Sequence, residues 1–388
     1  MKYEQIGWHE LTAIDGDRGM QTVASVAETS PLLADNLIQH AFGKTFAPTT
    51  LSRREREIIT LGILGAIGGA EPQLRIHLDA ALRVGAHPDE LIALAEHMSV
   101  YAGYPRALNL LREVRAALEI NHLFKPLAYR RISLGDHETR VFDSGGEQPA
   151  VVLVHALGLD LRMWREVIPI LKEKFRVIAY DLRGFGAATG APPASGLITY
   201  ADDLSNLLIQ LEIPKAHIVG LSLGGSIAQT FALSSPARFL SLTVIASTAW
   251  PFDAFSKRAE AAKSEGMQAQ VVPSLTRWFR PEDLAVNNWA VRYARDSVER
   301  AFVTDWVAGW QALATIDTGK KLGEIRVKTH IIAGELDTST PPELMEGFLE
   351  IPGSTFEIIK NAPHMISLTS PVNLAEAILG GIYQRERV

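Results

Sequence analysis

The sequence predicts an α/β fold with a mostly parallel sheet and a helical lid, preceded by an all-helical domain. Up to about residue 122 of the 388, apolar residues recur at helical spacing. Beyond it, short Val- and Ile-rich runs alternate with helical segments. Because continuous apolar strands separated by helices are typical of a parallel sheet covered on both faces, we expect a helical domain at 1–122 and an α/β domain at 123–388.

Start and stop signals divide the helical domain. Ser52 precedes an apolar periodic run, and Glu55 lies three residues after Ser52. This spacing is the pattern of a capping box. Three more helices are predicted downstream. Gly85 ends the first of them, Pro88 begins the second, and the segment Ala-Gly-Tyr-Pro at 102–105 separates the second from the third.

The α/β domain begins after a linker that contains Pro126. Two β-rich segments around the turn at 135–137 predict a hairpin. Six further strands are predicted within 150–158, 175–184, 216–222, 241–248, 329–337 and 355–364. A helical segment at about 251–318 interrupts this alternation. Such an insertion commonly lies as a lid over the carboxyl ends of the strands, where ligands bind.

Composition narrows the classes of function. A net charge of −6 argues against nucleic acid and anionic membranes as main partners, since both need a basic face. The absence of cysteine excludes disulfides and Cys-ligated metals, and the eleven histidines show no HxH or HExxH spacing. We therefore expect no metal and no cofactor. The first residues show no signal pattern, and the most apolar stretch, 58–70, is too short to span a bilayer, so a cytoplasmic protein with a small-molecule substrate is expected.

A serine stands between glycines where a predicted strand becomes a helix. The pattern Gly220-Leu-Ser222-Leu-Gly224 follows an apolar run and precedes a helical one. Gly-x-Ser-x-Gly in this context is a nucleophile elbow, which exposes the hydroxyl above a helix amino terminus. The alternative is a turn that serves only packing, in which the serine has no catalytic role. We predict Ser222 as the nucleophile of an acyl-transfer reaction.

A serine nucleophile needs a base that is oriented by an acid. Asp337 and His364 follow Ser222 in the order that this elbow requires, and each lies at the carboxyl end of a predicted strand. Glu335 is the alternative acid, disfavoured because it lies nearer the strand. We therefore predict Asp337 as the acid and His364 as the base.

Two backbone N–H groups are needed to stabilise the oxyanion of the intermediate. Leu223, directly after the nucleophile, is expected to supply one of them. The loop at 155–158 follows the first predicted parallel strand, and within it Leu157 is the candidate for the second.

An anionic substrate needs a fixed positive group. Arg162, in the loop after the oxyanion strand, and Arg277 or Arg280, in the lid, are the candidates, whereas Arg183 is expected to support loops. Trp278 is predicted to bind substrate, although lid tryptophans also serve as core. The other tryptophans of the lid are Trp289, Trp306 and Trp310.

Residues 129–388 resemble the α/β-hydrolase family, and within it the 3-oxoadipate enol-lactonase group. The segments LVHALGLDLRMW, RVIAYDLRG and HIVGLSLGGSIAQ carry the likeness, together with Arg-Trp-Phe-x-Pro at 277–281. The resemblance implies that Ser222, Asp337 and His364 form a triad. It also implies that a small anionic lactone is opened through an acyl-enzyme.

Two segments depart from the pattern of that group. Ala156 replaces the usual glycine after the first parallel strand, which would shift the oxyanion loop if φ were positive there. Phe185 and Ala187 replace a histidine and a polar residue in the usual Arg-Gly-His-Gly-x-Ser. We expect this second departure to change a wall of the pocket.

Residues 30–119 resemble the carboxymuconolactone decarboxylase family. The matching segments are LSRREREIITLGILGAIGG, QLRIHLDAALRVGA and HMSVYAGYPRALNLL. The resemblance implies that Arg75, His77 and His97 form a site that removes carbon dioxide from a lactone. Gln73 stands where members commonly carry glutamate, and an amide cannot act as a general base.

Three hypotheses of function follow. The first is a serine hydrolase for a small lactone or ester, coupled to decarboxylation by the helical domain. The second is a ligand-binding or scaffold protein on a hydrolase frame. The third is a general esterase whose helical domain serves only homo-oligomerisation through the apolar stripe at 58–67.

Overall fold

The computed structural model describes residues 2–47, 50–124 and 128–383. The chain divides into two compact units, Met1–Pro126 and Leu127–Val388. The last helix of the first unit ends at Ile120 and the first strand of the second begins at Tyr129, so the predicted division after residue 122 falls between them. Pro126, predicted in the linker, lies outside the described residues.

The first unit is helical throughout the part that the structure describes. Its helices are α1 (Lys2–Thr29), α2 (Pro31–Asn36), a π-helical segment (Leu37–Phe46), α3 (Arg53–Ile67), α4 (Glu71–Arg83), α5 (Pro88–Ala102) and α6 (Tyr104–Ile120). The predicted capping box is confirmed: the Glu55 N–H donates to Ser52 Oγ and the Ser52 N–H donates to the Glu55 carboxylate. The three helices predicted downstream are α4, α5 and α6. Buried apolar side chains of α3 to α6 form one core, which includes Leu61, Leu78 and Leu110.

The second unit is built on an eight-stranded sheet. Its strands are β1 (Tyr129–Ser133), β2 (Glu138–Asp143), β3 (Ala150–Val154), β4 (Arg176–Tyr180), β5 (Ala216–Leu221), β6 (Phe239–Ile245), β7 (Thr329–Gly334) and β8 (Thr355–Ile359). Their order is β1-β2-β4-β3-β5-β6-β7-β8. The first two strands form the predicted antiparallel hairpin, β2 also pairs antiparallel with β4, and the other pairs are parallel. A mostly parallel sheet is thereby confirmed.

Helices cover the sheet, because its central strands are apolar on both faces. They are α7 (Ile168–Leu171), α8 (Leu197–Gln210), α9 (Leu223–Ser234), α14 (Pro342–Met345), α15 (Ile366–Thr369) and α16 (Pro371–Tyr383), with 3₁₀ turns at 161–164, 186–188, 236–238, 319–324 and 346–350. The predicted helical insertion lies between β6 and β7. It comprises α10 (Asp253–Trp278), α11 (Pro281–Val286), α12 (Trp289–Glu299) and α13 (Val303–Ala314).

The carboxyl edge of the sheet is where the chain leaves β5, β7 and β8. Parallel strands present these ends side by side, so loops distant in sequence meet there. None of the helices in the described residues is long and apolar enough to cross a membrane.

Candidate active site

Ser222 occupies a strained turn between β5 and α9. Its φ is 55° and its ψ is −117°, a conformation that L-residues rarely adopt. The flanking glycines make the turn possible. A Cβ at Gly220 would lie 2.1 Å from the carbonyl oxygen of Gly224, and a Cβ at Gly224 would lie 2.1 Å from that of Val154. The close backbone approach therefore explains both glycines of the elbow.

The structure brings Ser222, His364 and Asp337 into one hydrogen-bonded row. Ser222 Oγ lies 3.0 Å from His364 Nε2, and His364 Nδ1 lies 2.7 Å from Asp337 Oδ2. The backbone N–H groups of Ser339 and Thr340 donate to Asp337 Oδ1, and the Thr340 hydroxyl donates to Oδ2 over 2.7 Å. The carboxylate is thus held in one orientation toward the imidazole.

The surroundings of Asp337 keep it ionised. Burial by itself would raise the pKa of this carboxyl, but the charge and hydrogen bond of His364 and the hydrogen bonds from Thr340 outweigh it. The pKa of Asp337 therefore lies below its usual value. Glu335, the alternative acid, is exposed and accepts a hydrogen bond from the Asn361 N–H at 2.7 Å. No hydrogen bond joins it to His364 within the described residues.

The two backbone N–H groups predicted for the oxyanion belong to Leu223, directly after Ser222, and to Leu157, in the loop after β3. Leu223 is the first residue of α9, and the first N–H groups of a helix have no intrahelical acceptor. Leu157 lines the cavity into which Ser222 opens. Among the described residues of its loop, Gly158 has a positive φ (78°) and Ala156 does not. The predicted departure at Ala156 therefore imposes no backbone strain on the loop.

Ser222 and His364 line a cavity of about 480 Å³, a volume that includes space open to solvent. The lid forms part of its wall, where α10 contributes Phe255, Arg258, Arg277 and Trp278, and α13 contributes Trp310. The Met365 N–H, next to His364, donates to the Trp278 carbonyl oxygen at 3.2 Å. The predicted insertion therefore covers the carboxyl edge of the sheet.

The lid tryptophans divide between the wall of the cavity and the core. Trp278 and Trp310 line the cavity. Trp306 is buried in the core, and Trp289 stacks on Tyr293 with ring centroids 5.0 Å apart.

Two arginines on α10 face the catalytic cavity without a carboxylate. No ion pair to Arg258 or Arg277 is found within the described residues. Arg277 donates to Ser274 Oγ over 3.3 Å, and Arg258 lies over the ring of Trp310. Burial lowers the pKa of Arg258. Burial and repulsion by Arg258 lower the pKa of Arg277 to about 10. The cavity wall therefore carries two guanidinium groups that form no ion pair with a described residue of the second unit.

Two of the predicted substrate-binding arginines are engaged elsewhere. Arg162 forms an ion pair with Asp160 at 2.8 Å and does not line the cavity. Arg280 pairs with Asp283 at 2.7 Å at the start of α11 and does not line it either. Each arginine pairs with a carboxylate two or three residues away in the chain, and contact with the substrate remains a prediction for both. Sequence reasoning missed Arg258; its position on α10, about five turns before the predicted Arg277, was the available signal.

Phe185 was expected in a wall of the pocket and is not there. It is buried, and its ring meets that of His155 edge to face with centroids 6.0 Å apart. His155 Nε2 accepts from the Leu182 N–H at 2.8 Å, and burial lowers the pKa of His155 to about 4. Phe185 thus packs against a neutral imidazole that links β3 to the loop after β4.

One cluster in the described residues has the spacing of metal ligands: Asp136, His137 and Asp203. Arg183 donates to both carboxylates, with a distance of 2.7 Å to each. The guanidinium therefore already supplies the positive charge at this position, and Arg183 has the supporting role that the sequence predicted.

In the first unit, the predicted residues Arg75, His77 and His97 do not contact one another in the described structure. Arg75 pairs with Glu113 at 2.7 Å, and His97 is exposed with its ring 5.1 Å from that of Tyr101. Gln73 is exposed as well. Of these positions, only His77 takes part in a buried cluster.

His77 Nδ1 lies 2.8 Å from Glu57 Oε2. Glu57 is fully buried, and its other oxygen, Oε1, has no partner among the described residues. Burial and, after it, the negative charge of Glu57 together raise the pKa of the nearby Asp15 to about 6. Sequence reasoning missed Glu57, although it falls on the same helical stripe as the buried Leu61.

Comparisons with known proteins match both units. Residues 149–371 match the family described as alpha/beta hydrolase fold, and residues 31–116 match the carboxymuconolactone decarboxylase family. The 3-oxoadipate enol-lactonase 1 of Acinetobacter baylyi is 32% identical over 237 residues, which is 60% of this chain and 88% of that protein.

Two solved structures are similar to the second unit. A hydrolase from Pseudomonas aeruginosa has a TM-score of 0.62 and 29% identity, and the match covers 66% of this chain and 98% of that one. An enol-lactonase from Burkholderia xenovorans has a TM-score of 0.63 at 23% identity, covering 65% of this chain and 99% of that one. The second of these likenesses concerns the fold alone.

Proposed function

The chain belongs to the alpha/beta hydrolase fold family, and on that premise we propose that it is a serine hydrolase that opens a small anionic lactone or ester. The observation that carries the proposal is the row Ser222–His364–Asp337, which opens into a cavity lined by two arginines without a carboxylate partner among the described residues. Binding alone needs no activated nucleophile, which disfavours a receptor or scaffold.

The geometry supports an acyl-enzyme mechanism. His364 Nε2 takes the proton of Ser222 as Oγ attacks the carbonyl carbon. The N–H groups of Leu223 and Leu157 stabilise the oxyanion, and Asp337 stabilises the imidazolium. The intermediate collapses, the C–O bond breaks, and His364 protonates the leaving oxygen. Water then attacks the acyl-enzyme by the same route and releases a carboxylate.

The substrate class follows from the charge of the cavity. Arg258 and Arg277 lie on lid helix α10 and line the same cavity as Ser222. A carboxylate on the substrate would form charge-assisted hydrogen bonds with these guanidinium groups and relieve their mutual repulsion. The name of the similar Acinetobacter protein, a 3-oxoadipate enol-lactonase, fits such a substrate. A neutral ester would leave both charges uncompensated.

Active-site labelling tests the proposal. The purified chain is treated with a fluorophosphonate and screened against p-nitrophenyl esters and small lactones. We expect stoichiometric labelling of Ser222, absent in Ser222→Ala, and faster turnover of anionic than of neutral substrates. Intact protein without labelling or turnover would support the ligand-binding alternative, and equal turnover of neutral substrates would support a general esterase.

We propose decarboxylation as a second function, located in the helical unit. The supporting observation is the buried Glu57–His77 pair with its unpartnered oxygen. Buried carboxylates without a full set of partners are costly and are common at functional sites. Two consecutive activities on one chain would raise the local concentration of the intermediate. Release of carbon dioxide from carboxymuconolactone, lost in Glu57→Gln, would support this function, and no release from the wild type would exclude it.

We further propose that the helical unit forms homo-oligomers. Within the predicted stripe at 58–67, Ile59, Ile63 and Ile67 are exposed at a spacing of four residues along α3. Light scattering should show an oligomer that Ile63→Glu dissociates. A monomeric wild type at micromolar concentration would contradict the proposal.

A further inference from the structure

The loop that carries Leu157 is packed against lid helix α13. Gly158 has a φ of 78°, and a Cβ at this position would lie 2.4 Å from the ring of Trp306. The Leu157 side chain meets the same helix where Gly309 leaves room, since a Cβ there would lie 2.7 Å from Leu157 Cδ1. Both contacts need a glycine because the backbone and an apolar side chain come so close together.

A second lid helix, α12, is joined to this loop by hydrogen bonds. The Asp160 N–H donates to Tyr293 Oη at 3.0 Å. The same hydroxyl lies 3.1 Å from Asp160 Oδ1 and 3.2 Å from the Asp160 carbonyl oxygen. It can therefore donate its own proton to either of these two oxygens. Tyr293 is buried, and so is Asp160. A buried hydroxyl that both donates and accepts is costly to remove.

Arg162 packs against the contact between Asp160 and Tyr293. Its guanidinium donates to Asp160 at 2.8 Å and lies over the Tyr293 ring, 4.9 Å from the centroid. The cation therefore binds the acid and the ring at once, which holds the hydroxyl in place. This arrangement gives Arg162 a role that differs from the predicted contact with substrate.

The sheet side of the loop is anchored separately. The Asp181 carboxylate accepts from the Leu161 N–H at 3.0 Å and from the Ala187 N–H at 2.8 Å, and it pairs with Arg140 at 2.9 Å. The loop is thus held to the sheet through Asp181 and to the lid through Tyr293. Loss of the Tyr293 hydrogen bonds would leave the Asp181 contacts in place, so the loop would stay attached to the sheet but would be less constrained.

We propose that Tyr293 is a positioning residue that ties the lid to the loop carrying the Leu157 N–H, so that the position of the lid determines whether the oxyanion hole is formed. The inference rests on the proposed hydrolase function, because it assigns the Leu157 N–H to the oxyanion. Tyr293 does not line the cavity and acts through Asp160. Through these hydrogen bonds, the lid would position a catalytic N–H group in addition to covering the cavity.

Tyr293→Phe tests the tie because it keeps the ring under Arg162 and removes only the hydroxyl. We expect kcat for an ester substrate to fall about tenfold or more, since small misplacements of catalytic groups cost up to about a hundredfold, while KM changes little. Hydrogen exchange at the amides of 155–161 should become faster in the variant. Tyr180→Phe is the matched control, because Tyr180 has a buried hydroxyl without a partner among the described residues.

Unchanged kcat and unchanged exchange in Tyr293→Phe would overturn the proposal. So would an equal fall in Tyr180→Phe, because the effect would then come from general loss of packing. If the wild type hydrolyses no substrate, the proposed function fails, but the exchange measurement on the intact chain still decides whether Tyr293 holds the loop.

Discussion

Arg258 lies over the indole face of Trp310, with its guanidinium carbon 4.8 Å from the ring centroid. Both side chains line the cavity that contains Ser222. A cation over an aromatic ring gains about 0.5 to 2 kcal/mol, which partly offsets the burial of a charge without a carboxylate. The ring can thus keep the guanidinium inside the cavity and leave its N–H donors for a substrate.

Arg277→Gln should raise KM for an anionic ester about tenfold to a hundredfold, because hydrogen bonds to charged groups contribute about 1.5 to 3 kcal/mol. For a neutral ester of similar size we expect little change. Steady-state kinetics with the mono-p-nitrophenyl ester of adipic acid and with p-nitrophenyl butyrate measure the difference. Arg280→Gln, on the lid but outside the cavity, is the control. Equal effects on both substrates would refute the anion site.

Asp337→Asn should reduce kcat by about three to four orders of magnitude, because an amide cannot stabilise the imidazolium and favours the wrong tautomer. Glu335→Gln removes a nearby carboxylate that does not contact the imidazole, so it should leave kcat within about twofold of the wild type. Rates of ester hydrolysis at pH 8 compare the two variants. A larger loss in Glu335→Gln than in Asp337→Asn would reverse the assignment of the acid.

Ser222→Ala should abolish lactone opening and leave any release of carbon dioxide intact, whereas His77→Ala should do the opposite. The reason is that Ser222 and His77 belong to different compact units with separate cores. Parallel assays of ester hydrolysis and carbon dioxide release on each variant provide the measurement. The two-site interpretation is wrong if each substitution silences both activities.

Asp15→Asn should stabilise the protein at pH 7.5 and not at pH 4. Burial raises the pKa of Asp15 from 3.8 to about 6, so the folded state holds this proton more tightly than the unfolded chain does. The contribution of protonated Asp15 to the free energy of unfolding is therefore complete below about pH 4 and is lost as the pH rises through 6. Asparagine never ionises, so the variant avoids this loss. We expect a gain of about 1 to 3 kcal/mol at pH 7.5.

Calorimetry at the two pH values measures this effect on the full chain. Asp17→Asn, which removes an exposed charge from the same helix, should give no such pH-dependent gain. A gain for Asp15→Asn that is equal at both pH values would show that ionisation of the carboxyl is not its cause.

Features that depend on neighbours in the chain were predictable from the sequence. The capping box of Ser52 and Glu55, the hairpin of β1 and β2, and the turn at Ser222 each involve residues a few positions apart. The approximate positions of Asp337 and His364 also followed, because apolar patterning places strand ends and parallel strands align those ends at one edge.

Side-chain partners across elements were decided only by the tertiary structure. Asp160 and Tyr293 meet across 133 positions of the chain, and Glu57 meets His77 across two helices. Arg258 and Arg277 face the cavity of Ser222, which depends on how α10 packs over the edge of the sheet. Hydrophobic periodicity determines which stripe of a helix is buried, but the rotation and packing of whole helices determine which charged side chains meet.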